Sequence, residues 1–258
     1  MKTFLKKCFK FELSKDTAVA FISGVVVIFF SLLMSFFQKQ TIIDEIMSIF
    51  LRDVLMILFI GFWFVLYYVI IVKKENISVL GITKKKLVLS LGLNIVFGIS
   101  LLISFMKDGS RITFNYGSLC AIVYIFAAGI FEMVFIYGFL RNYFEKAFGI
   151  IPSIVLTAFF YTFHHAGFQP EFLKLFFVGV MYVSIFYITR SIFIIFPFFW
   201  GVGAIWDVLV NSTAGENLLG TTSLIVGIAI ILIIIAISLY FKSKVRNQRL
   251  NINNKKFM

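Results

Sequence analysis

The chain reads as an all-α, polytopic membrane protein of about eight transmembrane helices. Three observations predict this. First, 61% of its 258 residues are hydrophobic, 19% are aromatic and the mean hydropathy is +1.01, values outside the range of soluble domains. Second, apolar runs of about 20 residues recur along the whole length, each long enough to cross a bilayer as a helix. Third, the positive charge is distributed asymmetrically between alternate connections.

The runs lie near 17–37, 54–72, 87–106, 118–139, 149–167, 172–188, 192–210 and 219–241. With the N-terminus placed in the cytoplasm, all Lys and Arg except Lys39, Arg52, Lys107, Arg111 and Lys174 fall on inner segments. An even number of spans then returns the basic C-terminus to the same side. The net charge of +12 is therefore topological, with a secondary affinity for anionic headgroups, and does not point to nucleic acid. Residues 1–16 form a basic cytoplasmic N-terminus. The run that follows is long and ends without a small-residue cleavage site, which predicts an uncleaved signal anchor. Cys8 and Cys120 lie at different levels, so no disulfide framework is expected. Richness in Phe, Ile, Lys and Asn is in keeping with an AT-rich bacterial genome and a multi-pass plasma-membrane protein.

Between the spans there is no room for a soluble domain. Residues 17–110 supply N-terminal helices with an inner loop, 73–86, whose short apolar centre is expected to lie in the interface. Residues 115–210 form a core richer in polar groups. Residues 211–241 hold the last helix, and 242–258 a basic, Asn-rich tail expected to be flexible.

Ionisable groups inside apolar stretches single out that core. Glu132, His164, His165 and Asp207 are read as the four at membrane depth. Each costs several kcal/mol there unless paired or hydrated, so each marks a candidate site. Glu132 lies in Phe131-Glu132-Met133-Val134-Phe135-Ile136-Tyr137-Gly138. Phe160 and His164 are four apart on one helix face, and Asp207 ends the run Trp200-Gly201-Val202-Gly203-Ala204-Ile205-Trp206-Asp207.

Read alone, these groups have bland explanations. Glu132 is a helix–helix hydrogen-bonding group, most simply to Tyr137 or Tyr161. His165 is a packing or interfacial group, and Asp207 is hydrated near the outer end of its span. A relay of Glu132 and His164 in a proton-linked transporter is a further option, unsupported by any inverted repeat.

Taken in order, the motifs resemble those of the CPBP intramembrane proteases, the Abi or CAAX-protease-like family, over about 115–210. That family's pattern is Glu-Glu-x-x-x-Arg-Gly, then Phe-x-x-x-His, then His-x-x-x-Asn or a variant. Glu132 matches the first glutamate, Gly138 the glycine, and Phe160 with His164 the second motif; Asp207 falls near the final amide. Met133, Tyr137 and Gly203 stand where a second glutamate, an arginine and a third histidine are expected. Arg141 comes a turn too late to replace that arginine.

The resemblance implies peptide hydrolysis in the membrane, with a membrane-associated peptide or protein as substrate. Glu132 would be the general base for water, His164 the partner of the water or the oxyanion, and Asp207 a third member; Phe160, Tyr137, Gly138 and His165 would support them. No cofactor is expected. Zinc is the metal that Glu132, His164 and Asp207 would hold, but Glu132 would then not be free as base. The lost motif positions favour an alternative: a catalytically degenerate relative acting as a membrane scaffold, or as an immunity or regulatory partner of a cell-envelope protein.

Overall fold

The computed structural model describes residues 7–37, 41–165, 171–211 and 218–256, with side chains as far as 247. The described residues are predominantly helical and contain no strand. The main helices are α1 (Lys15–Met34), α2 (Ile42–Val72), α3 (Leu87–Lys107), α4 (Tyr116–Phe148), α5 (Ile150–Phe163), α6 (Phe172–Thr189), α7 (Phe198–Asn211) and α8 (Thr221–Lys256).

Among the described residues, six helices are long and apolar enough to cross a membrane; α5 and α7 are shorter. At 1.5 Å per residue, the 14 residues of α5 rise about 21 Å, less than a hydrocarbon core of about 30 Å. The expected span 149–167 thus corresponds to a helix that stops inside the bundle. Polar caps mark where helices begin: Ser14 with Thr17 opens α1, Thr41 with Asp44 opens α2, and Asn115 with Ser118 opens α4.

Two other expectations change. The last helix continues to Lys256, where a flexible tail was expected from Lys242. The loop 73–86 folds into the bundle: Leu80 is fully buried in a 3₁₀ turn, Ile77–Leu80, packed against α4. Cys8 and Cys120 are buried free thiols.

The central helix is α4, with 67% of its apolar window buried, against 17% for α3 and 22% for α8. It packs on α8 through its first half and on the end of α2 and α5 through its second, while α5 packs on α6 and α3 on α7. Aromatic rings fill the core beside it: Phe131, Phe135, Phe139 and Tyr143 form a continuous column along α4. Exposed Val88, Ile95, Val96 and Ile103 on α3, and Ile225, Leu232 and Leu239 on α8, suit a lipid-facing surface.

The basic connections converge at one end of the bundle. Lys73 pairs with Asp16 at 2.7 Å, Lys146 with Glu75 at 2.8 Å and Arg190 with Glu145 at 2.8 Å. The hydrogen bond to Asp16 holds the Lys73 ammonium above its usual range.

Candidate active site

The turn at Gly149 sets the level of the site. Its φ of +85° is left-handed, and an added Cβ would lie 2.7 Å from the Cys8 carbonyl oxygen, so a side chain is excluded there. α4 ends and α5 begins at this point. Counted from it, Glu132 lies 17 residues down α4, about 25 Å, and His164 15 residues along α5, about 22 Å. The two therefore meet at one depth. A fourth span ending near 139 would put them about 10 Å apart in level; the helix instead runs on to Phe148.

Glu132 is buried at the middle of α4 and opens a stretch of wider π turns, Glu132–Leu140. Such irregularities are frequent at functional sites. Its Oε1 faces His164 Nε2 at 3.5 Å and His165 Nε2 at 3.7 Å. Its Oε2 accepts a hydrogen bond from Trp200 Nε1 at 2.7 Å. The partner of Glu132 is thus Trp200 of α7, not Tyr137 or Tyr161. Gly129, one turn before Glu132, makes room: an added Cβ would come within 2.3 Å of the indole ring.

Regular helix geometry would splay adjacent histidines by about 100°. Here α5 ends at Phe163, and the His165 N–H donates to Thr162 O in a tightened turn, at 3.2 Å. The two rings consequently lie with centroids 3.9 Å apart. His165, expected as a bystander, joins the cluster. Glu132, His164 and His165 each offer an atom within 4.8 Å of the others.

Both Nδ1 atoms contact the same backbone oxygen, that of Tyr161, with His165 at 2.8 Å. A carbonyl only accepts, so these contacts place a proton on Nδ1 of each ring, and in a neutral imidazole Nε2 is then a lone pair. Ser31 of α1 donates to the His164 carbonyl and ties the turn to the first helix. The imidazole of His164 is buried, whereas the His165 side chain is 32% exposed and connects the cluster to the surface.

The other expected site residues take different places. Asp207 pairs with Lys174 of α6, and both side chains are partly exposed, so Asp207 lies outside the cluster about Glu132. Phe160 is a packing residue, edge-on to Phe21 and against Phe144. Tyr137 is fully buried between Tyr161 and Tyr182. Gly138 lets the 3₁₀ turn at Leu80 approach α4. Arg141 points away from Glu132, donating to the Tyr137 and Val79 carbonyls and to Glu145. Gly203, at the expected third-histidine position, faces the Tyr182 hydroxyl: an added Cβ would lie 2.7 Å from it, so a bulky side chain does not fit.

Residues 114–205 match the family model described as type II CAAX prenyl endopeptidase Rce1-like. This match, over part of the chain, supports membership of the CPBP family. The matched CPBP core carries Glu132, His164, His165 and Trp200 and ends before Asp207. No curated protein and no solved structure matches the chain.

Three residues near polar groups had escaped notice. Trp200 carried one clue, an indole N–H in a membrane segment, which needs an acceptor. Asp53, just before the apolar run placed at 54–72, is buried, takes two bonds from Arg52 at 3.0 Å and one from Tyr124 at 2.6 Å. Ser31 lies within the first apolar run, 17–37, and short hydroxyls there are too common to stand out.

Proposed function

We propose that the CPBP core hydrolyses a peptide bond in a membrane-associated peptide or protein, with Glu132 as general base. The observation that carries this reading is the convergence of Glu132 Oε1 and two Nε2 lone pairs inside the bundle. With both imidazoles neutral, all three are hydrogen-bond acceptors and favour a proton donor among them. A water there donates one hydrogen to Glu132 and one to an imidazole, and keeps a lone pair for attack.

The water oxygen adds to the scissile carbonyl carbon as Glu132 takes its proton. The carbonyl becomes an oxyanion. Collapse breaks the C–N bond, and Glu132 passes the proton to the leaving amine. His164 holds the water, and its Nε2 donates to the oxyanion only while protonated. Trp200 holds the far carboxylate oxygen so that Oε1 stays directed at the imidazoles. Met133, Tyr137 and Gly203 remove the family's usual neighbours, and His165 supplies a second imidazole from the same turn.

A second reading rests on the same lone pairs. Two Nε2 atoms with Nδ1–H on a backbone carbonyl, and one carboxylate oxygen, suit a divalent ion such as zinc. A bound ion would supply Lewis-acid polarisation, and Glu132 would act as ligand instead of base.

The test uses the full chain in proteoliposomes with membrane-anchored peptides. A prenylated peptide ending in a CaaX sequence is the first probe, because the family description names that substrate. Cleavage is expected in wild type and reduced at least about 10²-fold in Glu132→Gln and His164→Ala. Cleavage that persists in a chelator fits the water reading; loss restored by zinc fits the metal reading. No cleavage of any probe, with a partner that co-purifies equally with Glu132→Gln, would establish the scaffold alternative.

A further inference from the structure

A second polar feature lies at the basic end of the bundle. It is a cavity of about 400 Å³, bordered by Lys10, Arg141, Asn142, Glu145, Lys146 and Arg190 among others. That volume falls within the ~300–1,000 Å³ typical of small-ligand sites. Arg141 lies nine residues beyond Glu132 on α4, about 13 Å further along the helix, so this is a separate site.

The lining carries four cations and one carboxylate. Glu145 is shared: it accepts from Arg141 Nη1 at 2.8 Å and from Arg190 Nη1 at 2.9 and 2.8 Å, and Tyr187 donates to it at 3.2 Å. Two guanidiniums on one carboxylate leave an excess positive charge. Lys10 pairs with Glu12 at 3.3 Å and Lys146 with Glu75 at 2.8 Å. These are partly exposed ion pairs, worth about 0–1 kcal/mol each, and a better anion can displace them. The buried Asn142 Nδ2 makes no hydrogen bond.

The segment before α1 closes the site. The Lys10 N–H donates to Phe148 O at 3.0 Å and the Glu12 N–H to Ala147 O at 2.8 Å. This pins Lys10 against the end of α4, on the rim of the cavity that Arg190 also lines. Arg141 is held rigidly by the Val79 and Tyr137 carbonyls. A fixed guanidinium with partly exposed lysines around a polar cavity is an arrangement suited to a phosphate group.

We propose that this cavity binds a phosphate group, with Arg141 as the fixed anchor and Arg190, Lys10 and Lys146 closing on it. Because the site sits where charged connections meet the helix ends, the group is carried either by an anionic phospholipid or by a free phosphate; the chemistry is the same.

Purified full-length protein in a neutral detergent provides the test. Its melting temperature is measured with inorganic phosphate, with phosphatidylglycerol and with phosphatidylcholine, against sodium chloride of equal ionic strength. Stabilisation by phosphatidylglycerol alone identifies a lipid headgroup; stabilisation by inorganic phosphate as well identifies a site open to free phosphate. The Lys10→Ala/Arg190→Gln double variant changes partly exposed side chains and leaves buried Arg141 in place. It is expected to weaken the apparent affinity about tenfold or more, while its melting temperature without ligand stays within a few degrees of wild type. Should the double variant unfold, Lys10→Ala alone is read in the same way. The proposal is overturned if neither probe stabilises wild type beyond the chloride control, or if a variant that folds is stabilised as strongly as wild type.

Discussion

Replacing Glu132 by glutamine separates catalysis from structure at this carboxylate. The change swaps one oxygen for an NH₂ group of the same shape. The remaining oxygen can still accept from Trp200 Nε1, now at 2.7 Å from a carboxylate oxygen. The new NH₂ would face the two Nε2 lone pairs, at 3.5 and 3.7 Å in wild type. A charge-assisted bond of about 1.5–3 kcal/mol becomes a neutral one of about 0.5–1.5. Burial of a neutral amide in place of a carboxylate offsets that loss. Stability is therefore expected to stay within about 1 kcal/mol of wild type. Activity is expected to fall about 10²–10⁴-fold, the usual contribution of a general base, or about 2.7–5.4 kcal/mol of barrier. Peptide cleavage in proteoliposomes reads the first quantity, and thermal unfolding in detergent reads the second. Full activity in Glu132→Gln would refute the assignment of the base. A large drop in melting temperature would instead make Glu132 a structural group.

Three more outcomes follow from the packing. Gly129→Leu should drive the Trp200 indole off Glu132, since even a Cβ would lie 2.3 Å from the ring; overpacking costs about 1–3 kcal/mol, and cleavage should fall at least about tenfold by the misplacement of a catalytic group. A fully active, equally stable variant would show that the indole contact is dispensable. Asp207→Asn should leave cleavage within about twofold, because its partly exposed pair with Lys174 is worth about 0–1 kcal/mol; a loss beyond tenfold would return Asp207 to the chemistry. Asp53→Ala strands Arg52 and the Tyr124 hydroxyl and should destabilise the fold by about 3–5 kcal/mol, which an unchanged melting temperature would contradict.

Composition alone was sufficient for the helical membrane class. The bilayer demands internally satisfied backbone, and apolar runs leave few alternatives to helices. Glu132 and His164 were legible for the same reason: a polar group at membrane depth is costly enough to be conspicuous. His165 was misjudged because helical periodicity was extended two residues past the end of α5, where a tight turn brings the adjacent imidazoles together. Asp53 was missed because α2, at 31 residues, is longer than its most apolar window, so a buried acid looked like an edge residue. Asp207 illustrates the converse: a motif position near the end of a span, satisfied by Lys174 from a helix that no spacing connects to it.

The sequence by itself determined the fold class, the asymmetry of charge between connections, the resemblance of 114–205 to a known family and the two most conspicuous ionisable residues, because these depend on composition and local pattern. Only the tertiary structure decided which groups meet. The positive φ at Gly149 sets Glu132 and His164 at one depth, Gly129 admits the indole of Trp200, and the end of α5 folds His165 toward Glu132. Such contacts join residues tens of positions apart, and their geometry depends on where helices end and how closely they approach, which hydropathy does not encode.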